Sequence, residues 1–197
     1  CVLKKAIAIP VFCDMDTASG GWLVFQKRSD GSQDFLLNWN DYKQGFGSLQ
    51  GEFWLGNDFL SLLTSDQPQQ LRVELEDFEG EKRYAEYDNF KVGPEYAQYK
   101  MSVTGYHGDA GDSLSYHSDS AFSAQDRDND ANGGHCAQLC HGAWWFKSCV
   151  TTDLNGEYFA DGVPESAHHG VYWRAWRGEN VSLKATRMMI RPAVTKP

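Results

Sequence analysis

The chain has 197 residues, a formal net charge of −9, 41% hydrophobic residues and a high aromatic share of 14%. This acidic balance, together with the absence of any run of more than two Lys or Arg residues, argues against a nucleic-acid or anionic-membrane surface. No stretch approaches the ~18 apolar residues of a membrane span, and the first residues lack the apolar region and cleavage site of a signal peptide, so we expect a mature, soluble protein without membrane insertion.

The first half of the chain carries the pattern of an antiparallel sheet with two short helices. Residues 21–28 begin apolar and β-prone, and the turn signal at 29–31 is expected to close a hairpin after them. Residues 38–47 indicate a short helix that ends at glycine, and residues 57–63 a second one capped by Asn or Asp. Three further segments alternate between apolar and polar residues, which is typical of antiparallel strands with one solvated face: 71–78, 84–87 and 99–103.

After about residue 105 this periodicity gives way to sequence rich in Gly, Asp, Ser and Asn. A long irregular segment lacks the backbone hydrogen bonds between strands that hold a sheet together. We therefore expect a metal ion or a disulfide bond to hold this segment in place. No linker and no repeat of fixed period divides the chain. We therefore expect an α+β fold in one domain, 1–197, made of a short N-terminal part at 1–13, a sheet-rich region at 14–105 and a loop-rich region at 106–197.

Residues 126–134 read DRDNDANGG and place oxygen-bearing side chains at alternate positions. Such spacing lets a tight loop direct successive oxygens at one hard cation, and oxygen ligands favour Ca²⁺ over Zn²⁺. An EF-hand is disfavoured, because Leu139 stands where its bidentate glutamate belongs and no helical pattern flanks the loop. Taken alone, the segment is equally compatible with a solvated acidic turn.

Five cysteines fall into two clusters at the ends of the chain: Cys1 and Cys13, then Cys136, Cys140 and Cys149. This grouping permits local disulfides at each end and leaves one thiol over. Disulfides indicate an extracellular compartment. The sequon that begins at Asn180 is consistent with secretion and glycosylation, although such triplets also arise by chance.

The segment that follows the acidic loop, 136–159, resembles the fibrinogen C-terminal domain family, also called fibrinogen-related domains. Six further segments agree with the family in the same order: FCDMD at 12–16, GGW at 20–22, GEFWLGND at 51–58, EDFEG at 76–80, AGDSL at 110–114 and MMIRP at 188–192. The resemblance covers nearly the whole chain. It implies a twisted, mainly antiparallel sheet with short helices and a loop-rich, calcium-binding C-terminal half.

The resemblance also implies a metal site and two disulfide bonds. Four residues match the calcium ligands of the family: Asp128 and Asp130 through side-chain oxygens, Asn132 and Gly134 through backbone carbonyls. The implied disulfides pair Cys136 with Cys149 and Cys1 with Cys13, and closing such short loops should contribute ~2–4 kcal/mol each. Cys140 is then the odd cysteine, either a buried thiol or an interchain bridge that would support a homo-oligomer.

Many members of the family, such as ficolins and tachylectins, are innate-immune lectins that bind the acetyl group of N-acetylated sugars beside the calcium loop. In those lectins, backbone N–H groups at a strained peptide, often cis, bind the acetyl oxygen, and that peptide corresponds here to residues 148–149. This sequence departs from the lectin pattern where Tyr, His and a Tyr-Ala pair usually build the pocket. The candidate ligand-binding residues are therefore an altered set: Ser148, Cys149, Cys140, Val150, Ala167 and His168.

The resemblance implies a secreted, non-enzymatic recognition module. The first hypothesis is a calcium-dependent, lectin-type pattern-recognition domain for acetylated or other glycans. The alternative rests on the run at 182–192, which is closer to angiopoietins and angiopoietin-like proteins, whose domain binds cell-surface receptors. Leu139, Cys140 and Val150 do not reproduce the polar polymerisation pocket of fibrinogen, which disfavours clotting activity.

A zinc-dependent or hydrolytic enzyme is a remote alternative. Its ligands would come from five residues: His135, Cys136, Cys140, His141 and Cys149. However, Cys-x3-Cys is not a usual zinc spacing, and neither G-x-S-x-G nor H-E-x-x-H occurs. We further expect Trp144 and Trp145 in the core and His168 and His169 in an exposed loop.

Overall fold

A single antiparallel sheet of eight strands organises the computed structural model, which describes residues 9–193. The strands in chain order are β1 (Phe12–Asp14), β2 (Trp22–Arg28), β3 (Phe46–Gly47), β4 (Phe53–Trp54), β5 (Gln69–Glu76), β6 (Lys82–Val92), β7 (Met101–Gly108), β8 (Thr152–Asp153), β9 (Tyr172–Trp173) and β10 (Ala185–Pro192). Their order across the main sheet is β3-β4-β2-β10-β5-β6-β7, and β1 pairs with β2. The remaining strands, β8 and β9, form a separate ladder.

The helices of the described residues are short. They are α1 (Trp39–Gln44), α2 (Asn57–Ser65), α3 (Cys136–Leu139) and α4 (Arg174–Arg177), with 3-10 turns at Thr17–Ser19, Glu95–Ala97 and Ser115–His117. None of them has the length and apolar character that crossing a bilayer requires. The sheet and these short helices confirm the expected α+β, fibrinogen-like fold.

Both predicted helices are present, but their caps differ. In α1 the Asp41 carboxylate accepts the backbone N–H of Asn38 at 3.2 Å, and the helix ends at Gly45, as the glycine signal predicted. The predicted Asn or Asp cap of the second helix is wrong, because α2 begins after Gly56 with φ 115°. The Asn57 side chain instead accepts a hydrogen bond from the indole of Trp54 at 3.0 Å in the core.

The predicted alternating strands are confirmed as β5, β6 and β7. In β5 every second residue is buried, so that Leu71, Val73 and Leu75 face the core while the residues between them are partly exposed. The strand predicted at 84–87 is part of a longer strand, because β6 pairs with β5 from Lys82 to Phe90 and with β7 from Ala85 to Val92.

The hairpin predicted after residues 21–28 is wrong. The predicted strand is present as β2. The segment after the turn does not pair with β2, whose partners are β1, β4 and β10. The buried Glu52 carboxylate accepts the N–H groups of Ser29, Asp30 and Gly31 at 2.7–3.1 Å and that of Gln33 at 3.0 Å. These hydrogen bonds satisfy the backbone N–H groups of the turn without pairing to a neighbouring strand, so the chain can leave the sheet here.

The C-terminal strand β10 lies in the centre of the sheet, between β2 and β5. The sequence analysis located the whole sheet in the first half of the chain and did not predict this strand. Its residues Met188, Met189 and Ile190 are all buried. A strand that is covered on both faces has no alternation of apolar and polar residues, so its sequence carries no period-2 signal.

The core between the sheet and the loop-rich half is aromatic. Trp144 and Trp145 are both 0% exposed, as expected. The ring of Trp145 packs edge-on against Phe90 of the sheet and against Phe122, and its indole N–H donates to the backbone O of Tyr99 at 2.8 Å. This ring joins the sheet to the segment that follows the acidic loop.

A buried polar contact joins the sheet to the irregular half at a second point. Arg28, 2% exposed, donates through Nη1 to the carbonyl oxygens of Leu154 at 3.1 Å and Gly156 at 2.8 Å. Gln26 donates to the same Leu154 oxygen at 2.8 Å. The guanidinium lies 3.9 Å from Glu52, so that its charge is compensated in the interior.

We expect Arg28→Met to lower the free energy of unfolding by about 3–5 kcal/mol, because it removes the charge partner of the buried Glu52 carboxylate and leaves the carbonyl oxygen of Gly156 without its donor. The measurement is urea denaturation followed by tryptophan fluorescence. Lys27→Met is the matched control, since Lys27 precedes Arg28 on β2 but is only partly buried, and should change stability by less than about 0.5 kcal/mol. Equal effects of the two substitutions would contradict this role of Arg28.

Candidate functional site

The cysteines of the second half are arranged as the resemblance implies. Cys136 and Cys149 form a disulfide bond with an S–S distance of 2.07 Å. Cys1 lies outside the described residues, and with it the pairing to Cys13. Cys140 is a free cysteine, 3% exposed, and burial raises the pKa of its thiol to about 12. This favours the buried thiol over the interchain bridge, and Cys136 and Cys149 are not available to the remote zinc set because they are bonded to each other.

The acidic loop is a series of turns closed by its own side chains. Asp128 Oδ1 accepts the N–H of Asp130 at 3.1 Å, and Asp130 Oδ1 accepts that of Asn132 at 2.8 Å. Asn132 Oδ1 accepts the N–H of Gly134 at 3.1 Å. Each side chain therefore folds back over the residue two positions on, which brings the predicted calcium ligands together in one loop.

The donors of this loop fit a hard cation. Ligand atoms of Asp128, Asp130 and His135 lie within 4.8 Å of one another. Burial, together with the neighbouring Asp128 carboxylate, raises the pKa of Asp130, although the N–H of Cys136 donates to its Oδ2 at 2.8 Å. Two carboxylates in such proximity repel each other unless a cation offsets their charge.

The acidic loop is hydrogen-bonded directly to the segment 147–149, which contains the predicted ligand-binding peptide. The N–H of Ala131 donates to the carbonyl oxygen of Lys147 at 3.0 Å, and the side-chain amide of Asn132 donates to Sγ of Cys149 at 3.1 Å. The peptide bond between Ser148 and Cys149 is cis, as in many members of the family. A cation in the loop would therefore hold the segment 147–149 in place.

The six predicted ligand-binding residues all line one cavity of about 520 Å³. The sequence pointed to Leu139 only through the comparison with the polymerisation pocket of fibrinogen, and it did not point to four other residues of this lining: Tyr116, Thr151, Arg174 and Glu179. No local pattern could have assigned the charged pair, which lies in a segment remote from the loop in sequence. The ladder of β8 and β9 brings that segment to the pocket.

The pocket lining combines one tyrosine with charged side chains. Glu179 lies between Nε of Arg174 at 3.5 Å and Nδ1 of His168 at 3.9 Å. Tyr116 donates its hydroxyl hydrogen bond to the carbonyl oxygen of Ser148 at 3.2 Å. The expectation of a simply exposed histidine loop is wrong in part, because His168 and His169 are both only partly exposed. Such a lining suits a ligand with polar and charged groups.

The floor of the pocket is held by a buried neutral histidine. Nδ1 of His117 lies 2.8 Å from the backbone O of Trp145 and therefore donates to it, while Nε2 accepts the N–H of Thr151 at 3.2 Å. Burial lowers the pKa of His117 to about 4. If the ring took up a second proton, Nε2 could no longer accept the N–H of Thr151, whereas Nδ1 would still donate to Trp145.

A second cavity of about 280 Å³ lies on the solvated face of the sheet. Its charged lining is internally paired, since Arg72 lies 3.2 Å from Glu74 and also contacts Glu86, while Arg187 contacts Glu74. Paired surface charges of this kind leave little potential for a ligand. The pocket beside the acidic loop is the better candidate site.

The family model for the C-terminal globular domain of fibrinogen beta and gamma chains matches residues 2–193. Angiopoietin-related protein 7 of Mus musculus is 46% identical over 190 residues, which is 96% of this chain and 56% of that protein. The human protein of the same name is 46% identical, over 96% of this chain and 55% of its own length. The chain thus spans about half the length of these relatives.

Solved structures show the same fold. The fibrinogen-like globe domain of human ANGPTL2 superposes with a TM-score of 0.91 at 44% identity, covering 93% of this chain and 85% of that one. The corresponding domain of human ANGPTL6 gives 0.92 at 43% identity, with 96% and 85% covered. A lamprey fibrin D-dimer in complex with the peptide Gly-His-Arg-Pro-amide gives 0.88 at 35% identity, with 95% and 66% covered.

Asp153 and His117 are expected to give opposite pH dependences of stability. Burial raises the pKa of Asp153 from 3.8 to about 7, so over that range the folded state holds a proton that the unfolded chain has lost, and stability falls as pH rises. Burial lowers the pKa of His117 from 6.5 to about 4, so over that range the unfolded chain holds the extra proton and stability rises with pH.

The test is the free energy of unfolding of Asp153→Asn and His117→Gln between pH 4 and 6.5, the range in which both groups act. Relative to the unsubstituted protein, stability should increase with pH in Asp153→Asn and decrease with pH in His117→Gln. Each slope should differ by up to about 1.4 kcal/mol per pH unit. Parallel pH profiles for all three proteins would show that these groups do not titrate as described.

Proposed function

The chain belongs to the family of fibrinogen C-terminal globular domains, and we propose that it is the recognition domain of a secreted, angiopoietin-like ligand for a cell-surface receptor. One observation carries this proposal: the chain is 46% identical to an angiopoietin-related protein over 96% of its length. This favours the receptor-ligand alternative of the sequence analysis over the lectin hypothesis. It also supports the expectation of a binding protein rather than an enzyme.

The composition of the pocket supports a polypeptide partner. Cys140 and Val150 stand where the lectins place the Tyr and His of the acetyl pocket, and Arg174 and Glu179 add a pair of opposite charges. In the lamprey fibrin D-dimer the bound ligand is a peptide. We infer that the receptor contributes a peptide segment with polar or charged side chains, oriented by this pair.

Secretion is supported by the Cys136–Cys149 disulfide bond, because such bonds persist in oxidising compartments. Asn180 is exposed, which suits a glycan acceptor, and it directly follows Glu179 of the pocket lining. A glycan at this position would sit beside the pocket. The degree of oligomerisation belongs to the whole protein, of which this domain is about half in the relatives.

We further propose that Ca²⁺ binds in the acidic loop. Asp128 and Asp130 would supply carboxylate oxygens, and Asn132 and Gly134 backbone carbonyls. The support is the proximity of the two carboxylates and the raised pKa of Asp130, which a cation would offset. Bound there, the ion supplies charge neutralisation. The loop's hydrogen bonds to residues 147 and 149, which adjoin or line the pocket, would then also be stabilised.

Calcium should raise the melting temperature of the protein, and EDTA should reverse the increase, because the folded state alone assembles the loop. At a concentration of 100 times Kd the gain is about 2.7 kcal/mol. Asp128→Asn and Asp130→Asn should remove most of this gain. Asp161→Asn is the matched control, since Asp161 closes the same kind of turn on Val163 outside the loop. A calcium effect that persists in both loop variants would rule the site out.

The receptor and lectin hypotheses predict different partners, a cell-surface protein in the first case and an acetylated glycan in the second. We expect the labelled domain to bind target cells, protease treatment of the cells to abolish binding, and excess N-acetylglucosamine or acetate to leave it unchanged. Glu179→Gln and Arg174→Gln should each weaken binding by about tenfold, or ~1.4 kcal/mol. Lys91→Gln, an exposed substitution on β6, is the control. Retention on an N-acetylated resin with release by acetate would instead restore the lectin hypothesis.

A further inference from the structure

We propose that His141, Glu157 and His169 form a Zn²⁺ site beside the pocket. The three residues come from separate segments: His141 follows α3, Glu157 follows β8 and His169 precedes β9. One ligand atom of each lies within 4.8 Å of the other two. Two imidazoles and one carboxylate are a ligand set that zinc adopts with a fourth position left open.

The hydrogen bonding of His169 leaves one ring nitrogen available to a metal. Nε2 lies 3.1 Å from the backbone O of Leu139. Because a carbonyl oxygen can only accept, Nε2 carries the proton of the neutral ring. Nδ1 is buried and has no hydrogen-bond partner among the described residues. A backbone carbonyl that fixes the tautomer in this way is the usual outer contact of a zinc-binding histidine.

The other two side chains complete the set. Nδ1 of His141 lies 3.3 Å from Oε2 of Glu157. The imidazoles of His141 and His169 stack with their centroids 4.3 Å apart and their planes inclined by 29°.

Small rotations bring these atoms to coordination distance. Zinc bonds of about 2.0–2.2 Å place tetrahedral ligand atoms roughly 3.3 Å apart. The His141 side chain is 45% exposed and that of Glu157 is 50% exposed, so both are free to turn toward Nδ1 of His169.

The site adjoins one wall of the pocket. Leu139 and His168 line the pocket, and His169 contacts the first and directly follows the second. A zinc ion would fasten this wall to the segment of Glu157. Its open fourth position faces solvent or a bound partner.

A neighbouring cluster offers zinc a competing position. Asp128, Asp130 and His135 also bring ligand atoms within 4.8 Å of one another. That cluster has two carboxylates and one imidazole, and oxygen donors suit Ca²⁺, whereas imidazole suits Zn²⁺. Excess calcium should therefore occupy the loop and leave zinc to the paired histidines.

The experiment is calorimetric titration of the untagged, chelator-stripped protein with ZnCl₂ in excess CaCl₂. We expect one Zn²⁺ per chain. His141→Asn, which keeps a residue tolerant of the left-handed backbone at φ 51°, and His169→Gln should each weaken zinc binding at least about tenfold. Co²⁺ in place of Zn²⁺ should give the absorption spectrum of a tetrahedral site, and this spectrum should be lost in both variants.

Two controls define the result. His107→Gln should leave zinc binding unchanged, because His107 also lies near two carboxylates, Glu86 at 3.6 Å and Asp88 at 3.5 Å, but without a second histidine. His135→Gln should likewise have no effect. Zinc binding that survives His141→Asn and His169→Gln, or that is lost in His135→Gln, would overturn the proposal.

If His141→Asn or His169→Gln fails to fold, a third substitution, Glu157→Gln, tests the same site. Glu157 is exposed, so Glu157→Gln should leave the metal-free protein as stable as before in urea denaturation. Its zinc affinity should nevertheless fall at least about tenfold, and the Co²⁺ spectrum should change. An unchanged affinity in this variant would contradict the assignment of the carboxylate as a ligand.

Discussion

The hydrogen bonds that Arg28 and Gln26 donate to the backbone at 154–156 are the constraint on which the loop-rich half depends. That half has few ladders, so its buried carbonyl groups need side-chain donors, and each one left unpaired would cost about 1–3 kcal/mol. β2 therefore has two roles. Its backbone pairs with β4 and β10, and its buried polar side chains hold a segment that no strand reaches.

The pocket owes its position to several such bonds acting on one stretch of chain. His117 forms hydrogen bonds with the backbone of Trp145 and Thr151. The disulfide bond links Cys149 to Cys136, which follows the acidic loop. The loop adds its own hydrogen bonds to residues 147 and 149. The hydrogen bonds of the acidic loop, the disulfide bond and a buried histidine thus all act on neighbouring residues of the pocket lining.

The chain shares its fold with solved structures of the family. The globe domain of human ANGPTL2 superposes with a TM-score of 0.91 although only 44% of residues are identical. Function therefore cannot be taken from the fold and has to be argued from the side chains. Here the lining combines Tyr116, a buried thiol at Cys140 and the paired charges of Arg174 and Glu179, which differs from the acetyl pocket of the lectins.

The sequence alone determined the α+β class, the alternating strands β5 to β7, the acidic loop and the family, because each is a pattern that neighbouring residues carry. It also placed six pocket residues, through the resemblance. Only the tertiary structure decided that β10 lies at the centre of the sheet, that Glu52 directs the turn after β2 away from a hairpin, and that Arg174 and Glu179 join the pocket. The physical reason is that burial and the pairing of polar groups join residues far apart in the chain, and such contacts leave no local period in the sequence.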